Sequence, residues 1–223
     1  MEELFVRYRS LLYDLGKGVI KVYTCAQCKD KNCRWGKTDV VPQQEDIKEL
    51  YKKAENLKIA HNSSLVESEG YCRWSRLEEI MHFARKCGFT DLGVAFCIGL
   101  KEEAAILVQV LRKNRFTVNS VVCKNGSIPK EFIGIKEEEK VQPSSFEPMC
   151  NPIGQATALN KAGTDLNILL GLCVGHDTLF IKYSQAPVTV LAVKDRVLGH
   201  NPMAALYLAE SYYRNKLQPS CQP

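Results

Sequence analysis

The chain has 223 residues, 45% hydrophobic and 25% charged, with 14 Gly and 9 Pro; this is the composition of an ordinary globular protein and excludes disordered, collagen-like and repeat classes. Its 30 basic and 25 acidic residues leave a net charge of +5, spread along the chain, which suits an anionic ligand but is too weak to indicate nucleic acid. Ten cysteines beside four histidines are out of line, because a chain of this length can build its own core without disulfide staples.

The amino terminus, Met1 to Arg9, mixes acids and bases and lacks the basic, apolar and small-residue blocks of a secretory signal. The longest apolar run, around Leu166 to Val174, is interrupted by Asn167 and Gly171 and falls well short of the roughly 20 residues of a membrane span. The expectation is a reducing cytoplasm and no membrane, where clustered cysteines bind metal or do redox chemistry.

Residues 2–15 carry Leu4, Phe5, Tyr8, Leu11, Leu12 and Leu15 at helical spacing, which predicts an amphipathic helix stopped by Gly16 and Gly18. Periodicity then vanishes from Tyr23 to Val41, a coil with three cysteines and no core of its own. A polar helix is expected over 43–57, with Ile47, Leu50, Tyr51 and Ala54 on one face, and 63–69 reads as a connector. Ser75 and Glu78 form a capping box ahead of a helix over 76–87 that Gly88 ends. From there strands over 92–97, 118–123, 166–173 and 188–193 alternate with helices over 101–115, 153–162, 178–184 and 203–216, and an irregular stretch runs to Met149. Near-continuous apolar runs fit strands covered on both faces. The fold class predicted is α/β, a doubly wound, Rossmann-like and mainly parallel sheet of about four strands, behind an amino-terminal helical, cysteine-rich metal-binding region. The expected organisation is 1–87 for that region, 88–217 for the sheet domain and 218–223 for a tail.

Cys25-x2-Cys28-x4-Cys33 can wrap a tight turn around one ion, with Cys72 as the fourth metal ligand and His61 as its competitor. Cys72 stands just ahead of the capped helix, and Cys33-Arg34-Trp35 and Cys72-Arg73-Trp74 repeat one local context. Zinc and a 4Fe-4S cluster both suit four thiolates, and the spacing fits either.

Cys97, Cys123 and Cys173 close three predicted parallel strands, and Cys150 precedes the Asn151-Pro152 helix start. Because ligands of open α/β sheets bind outside the carboxyl ends of the strands, these four cysteines are expected to line one crevice, as ligands of a second centre or as thiols. Cys150, or Cys173 with His176 beside it after Gly175, is the candidate nucleophilic arrangement. His200 joins the same rim, while Lys194, Asp195 and Arg196 read first as a solvated loop and second as charge for an anionic ligand. Cys87 falls on an apolar stripe with Ile80 and Ala84 and reads as core; His82, off that stripe, reads as solvated. Dinucleotide, phosphate-loop and serine-hydrolase motifs are absent.

Cys25-Ala26-Gln27-Cys28 to Cys33, Gly70-Tyr71-Cys72-Arg73, Cys150-Asn151-Pro152-Ile153-Gly154-Gln155-Ala156, Gly171-Leu172-Cys173-Val174-Gly175-His176-Asp177 and Asp195 to Pro202 together carry a resemblance. Over close to its full length the chain resembles a prokaryotic family of uncharacterised metal-binding proteins, domain of unknown function family eighteen forty-seven. The resemblance implies metal binding and names no reaction. A looser similarity, of fold only, is to Rossmann-like domains of iron–sulfur enzymes that present cysteines from strand ends. The function expected is a cytoplasmic cysteine-ligated metal-binding protein, iron–sulfur, in redox or sulfur-transfer chemistry on a small anionic or sulfur-containing ligand or redox partner. The alternatives are a structural-zinc protein with a Cys/His thiol enzyme site in the crevice, or a metal carrier or sensor.

Overall fold

A computed structural model describes residues 25–29, 32–36 and 44–218; the expected helix over 2–15 and Cys221 lie outside them. The chain divides into two compact units, 1–56 and 57–223. In the first, short 3-10 turns at Cys25–Gln27 and Asn32–Trp35 precede helix α1 (Gln44–Lys52).

The second unit is built on four parallel strands, β1 (Asp91–Phe96), β2 (Thr117–Val122), β3 (Leu166–Leu172) and β4 (Val188–Val193), in the order β2-β1-β3-β4. The sheet is doubly wound, as the sequence predicts. Side chains alternate across it. Leu92, Val94, Leu166, Ile168 and Leu170 face one layer with Ile80, Met81 and Ala84 of α3 (Arg76–Lys86) and Leu107 and Leu111 of α4 (Lys101–Lys113). Ala95, Cys97, Leu169 and Leu172 face the other, against Ala156 and Leu159 of α5 (Pro152–Ala162) and Phe180 of α6 (His176–Tyr183). The strand order reverses its direction of winding between β1 and β3, the switch point outside whose carboxyl ends open α/β sheets take their ligands.

The capping box forms: Glu78 N–H donates to Ser75 Oγ at 3.4 Å and Ser75 N–H donates to Glu78 Oε2 at 2.7 Å. Replacing Ser75 by Ala should cost about 1 kcal/mol in a denaturant titration, since one helix N–H loses its acceptor.

Two stretches differ from the expectation. Residues 63–69, read as a connector, belong to a helix, α2 (Ala54–Gly70). Its polar residues satisfy themselves on the helix: Asn62 Nδ2 donates to Lys58 O, Ser63 Oγ to Ile59 O and Ser64 Oγ to Ala60 O, at 2.9, 2.8 and 3.1 Å. The final helix, expected over 203–216, is instead two short pieces, α7 (Met203–Tyr207) and α8 (Arg214–Leu217), joined by turns. Leu206, Tyr207 and Tyr212 are exposed, so no buried face supports a continuous helix. Among the described residues, no helix is long and apolar enough to cross a membrane.

Candidate functional site

The carboxyl edge of the sheet sets the sulfurs. Cys97 follows β1, is 7% exposed, and donates its N–H to Leu170 O of β3 at 3.2 Å. Cys123 follows β2, is 2% exposed, donates its N–H to Phe96 O at 2.9 Å, and accepts on Sγ from Ile98 N–H at 3.3 Å. Thus each cysteine is held by the neighbouring strand as well as by its own.

Cys150 reaches the same place by a different route. Residues 124–149 leave β2 and return through an antiparallel bridge, Pro129 to Pro148, and an Ile128 O to Met149 N–H bond of 2.7 Å. Its neck is closed by Asn151 N–H donating to Cys123 O at 2.7 Å and by Asn125 Nδ2 donating to both Val122 O and Asn151 O. Asn151 also caps α5, its Oδ1 accepting from Gly154 N–H at 2.8 Å, with Pro152 in the first helical turn. The Asn-Pro start therefore does two jobs: it begins a helix and seats Cys150 beside Cys123. The excursion itself is tied by two ion-pair groups, Lys130 to Glu147 at 2.6 Å and the buried Lys140 to Glu131 and Glu137 at 2.5 and 2.6 Å.

The three thiols shift one another's ionisation in series. Cys123 together with burial pushes the Cys97 thiol up to about 12. Cys123 is raised by Cys150, against the lowering effect of Cys97. At the end of the series, the Cys150 thiol is lowered to about 7, first by Cys123 and further by the Lys124 ammonium, despite burial. Protons thus reside on Cys97 and Cys123, and the negative charge settles on Cys150. Beneath them Gln155 is fully buried and donates Nε2 to Phe96 O and Val121 O at 3.1 and 2.7 Å, holding the ends of β1 and β2 to α5.

β3 contributes the fourth sulfur. Gly171 adopts φ +66° and the register with β4 shifts on either side of Leu170, a bulge immediately before Cys173. Cys173 is half-buried, close enough to Cys150 to act on it electrostatically, and Arg196 Nη2 donates to its Sγ at 3.3 Å. The loop 195–200 that carries Arg196 is built on Asp195, whose Oδ1 accepts from Val197 and Leu198 N–H, while Asp195 N–H donates to His200 Nδ1 at 3.1 Å. His200, at φ +65°, therefore uses Nδ1 to hold that loop, which is an acceptor role rather than a ligand role. His176 heads α6, and its backbone N–H donates to Cys173 O at 3.0 Å; among the described residues no hydrogen bond joins its imidazole to a cysteine.

The other cysteines are placed as follows. Cys25, Cys28 and Cys33 are exposed on the two 3-10 turns of the first unit, with Cys28 N–H donating to Cys25 O at 3.2 Å. Cys72, in the second unit, is exposed at φ +55° in the turn between α2 and α3, and His61 is exposed on α2. Cys87 is in the core, as expected, with Asn62 Nδ2 at 3.6 Å from its Sγ. His82 is not simply solvated: it stacks on Trp74 with ring centroids 3.8 Å apart. Among the described residues, no group of three or more His, Cys, Asp or Glu side chains stands in a metal-holding arrangement.

Sequence reasoning gathers the strand-end cysteines and leaves their supports open. Arg196 is exposed, as a solvated loop implies, and also donates to Cys173; Lys194 lies beside Gly99 and Cys97. Lys124 and Gln155 carry no motif. The usable signals were adjacency to Cys123 for the first, and for the second an amide one helical turn beyond Asn151 in an otherwise apolar helix face.

Residues 36–191 match a family described as protein of unknown function (DUF1847). A Methanocaldococcus jannaschii protein described as uncharacterized protein MJ0455 is 49% identical over 193 residues, covering 86% of this chain and 97% of its own. No solved structure matches. The family match spans well over half the chain, and the archaeal relative covers 86% of it: the chain belongs to the DUF1847 family.

Proposed function

We propose that the crevice is a thiol centre for sulfur-transfer or thiol-redox chemistry, with Cys150 as the nucleophile. The observation that carries this reading is the packing of Cys97, Cys123 and Cys150 in one cluster at the carboxyl edge of the sheet, with Lys124 beside the sulfur whose ionisation is favoured, Cys150. The thiolate is the reactive form, and a thiol near neutrality combines a large ionised fraction with retained nucleophilicity. Cys173, with Arg196 on its sulfur, supplies a second thiol on the far side of the crevice, and His176 stands at its helix start as a further polar group.

Alkylation by iodoacetamide, followed cysteine by cysteine across pH, tests this. Below its pKa Cys150 is protonated and slow, above it ionised and fast, so its rate should rise with a midpoint near the value of about 7. Cys123 and Cys97, both raised, should follow only at higher pH. A Cys150 rate that climbs only with the ordinary thiols would remove the nucleophile from the reading.

A second reading concerns the amino-terminal cysteines. Cys25, Cys28 and Cys33 are proposed to take zinc or an iron–sulfur cluster. It is supported by three solvent-facing sulfurs on consecutive tight turns, where thiolates can close on one ion. Metal and sulfide analysis of oxygen-protected protein tests it, and a preparation free of both, with Cys25 and Cys28 freely alkylated, would rule it out.

A further inference from the structure

We propose that Cys123 is the resolving partner of Cys150, so that the crevice performs two-electron thiol–disulfide exchange with small disulfides that carry carboxylates. This rests on the assignment of Cys150 as nucleophile and adds the partner thiol and the substrate class.

The neck of the 124–149 excursion is where the geometry points. Asn151 N–H donates to Cys123 O at 2.7 Å, Asn125 bonds to backbone on both sides of the neck, and Cys150 packs against the cluster that contains Cys123. A bond between the two sulfurs closes a neck that backbone hydrogen bonds already hold shut, so little chain entropy remains to be lost. Cys123 is the thiol that the neck's backbone bonds hold to the Cys150 segment; Cys173, on which Arg196 donates, follows β3 and is the rival, so a Cys150–Cys173 link would overturn the resolving role of Cys123.

The reaction balances as two exchanges. The Cys150 thiolate attacks one sulfur of the substrate disulfide, forming a Cys150–substrate mixed disulfide and releasing one substrate thiolate. Cys123 then attacks the Cys150 sulfur; its proton passes to the second departing substrate sulfur, and the Cys123–Cys150 disulfide forms. Two protein sulfurs are oxidised and two substrate sulfurs reduced, with two electrons transferred and no further oxidant.

The charge around the sulfurs selects the substrate. Lys124 faces Cys150, Lys194 lies by Cys97, and Arg196 donates to Cys173. Among the described residues no carboxylate forms an ion pair with any of the three, whereas the lysines of the neighbouring excursion, Lys130 and Lys140, are both neutralised. Three cations without carboxylate partners around the sulfurs favour an anionic disulfide over a cationic one of similar reactivity.

The test uses the full-length reduced chain, held anaerobically, with oxidised glutathione as the anionic disulfide and cystamine as the cationic one, followed by acid quench and peptide mapping. Expected are linked Cys123 and Cys150 peptides from the unaltered chain, a mixed disulfide that accumulates on Cys150 in C123S, and a rate with oxidised glutathione about tenfold above that with cystamine. A mixed disulfide that persists on Cys150 of the unaltered chain overturns the resolving role while leaving Cys150 as nucleophile. Equal rates with the two disulfides overturn the substrate class. Modification that bypasses Cys150 altogether overturns the underlying reading instead. The map of the unaltered chain needs no variant, so a folding defect in C123S does not blunt the result.

Discussion

Gly171→Ala should destabilise the protein by about 3 kcal/mol, the sum of a left-handed backbone that an L-residue adopts at a cost of about 1–2 kcal/mol and overpacking of about 1–3 kcal/mol. Gly171 stands in the buried β3 at φ +66°, and a Cβ there would lie 2.1 Å from Leu100 Cδ1. Leu100 is itself buried in the core beneath α4, so it has nowhere to retreat. Gly163 is the internal control: its φ is +65° but nothing lies within 4 Å of its Cβ position, so Gly163→Ala should carry the backbone part alone, about 1–2 kcal/mol. Urea unfolding of the two variants separates the contributions, and equal losses would show that the bulge has room to adjust. The result matters for function because this bulge aims Cys173 into the crevice; even a folded Gly171→Ala chain should lose the Arg196 contact on that sulfur.

Cys123→Ala should slow alkylation of Cys150 at neutral pH by roughly five- to tenfold. Cys123 is the first cause of the lowered Cys150 thiol, and with it gone, burial raises the thiol against Lys124 alone. From about 7 to the ordinary 9.0, the thiolate fraction at neutral pH falls from about half to about one part in a hundred, and greater intrinsic nucleophilicity of the more basic sulfur recovers part of the loss. The pH midpoint should move upward accordingly. Cys123→Ser keeps a donor hydroxyl at the same place and should retain most of the reactivity. If both variants slow Cys150 equally, the effect is packing around a 2% exposed side chain rather than the donor.

The sheet was legible in the sequence because its strands are buried on both faces and read as apolar runs, and because local start signals such as Ser75-x-x-Glu78 and Asn151-Pro152 are decided by a few neighbouring residues. α2 was not, since Asn62, Ser63 and Ser64 are linker-like in composition and their helical satisfaction, on carbonyls four residues back, is invisible until the helix exists. The final helix failed the other way: its periodicity is real, but no core face is present for it to bury. For the site, strand-end placement plus the crevice rule was enough to gather Cys97, Cys123 and Cys150. The direction in which their protons are ordered depends on how the sulfurs act on one another and on Lys124, which stands at the neck of an irregular excursion without periodicity. Arg196 is exposed, as sequence logic leaves it, and its bond to Cys173 is visible only once the Asp195–His200 turn is built.

The central claim, a thiolate on Cys150 stabilised by a series of neighbouring thiols, is tested most directly by ultraviolet thiolate absorbance. The titration of the reduced chain minus that of Cys150→Ser isolates one sulfur. The account predicts a difference curve of one thiolate with a midpoint near pH 7, moved upward when Cys123 is alanine in both chains. Superimposable curves through neutrality, with Cys150 ionising only alongside ordinary thiols, would contradict it.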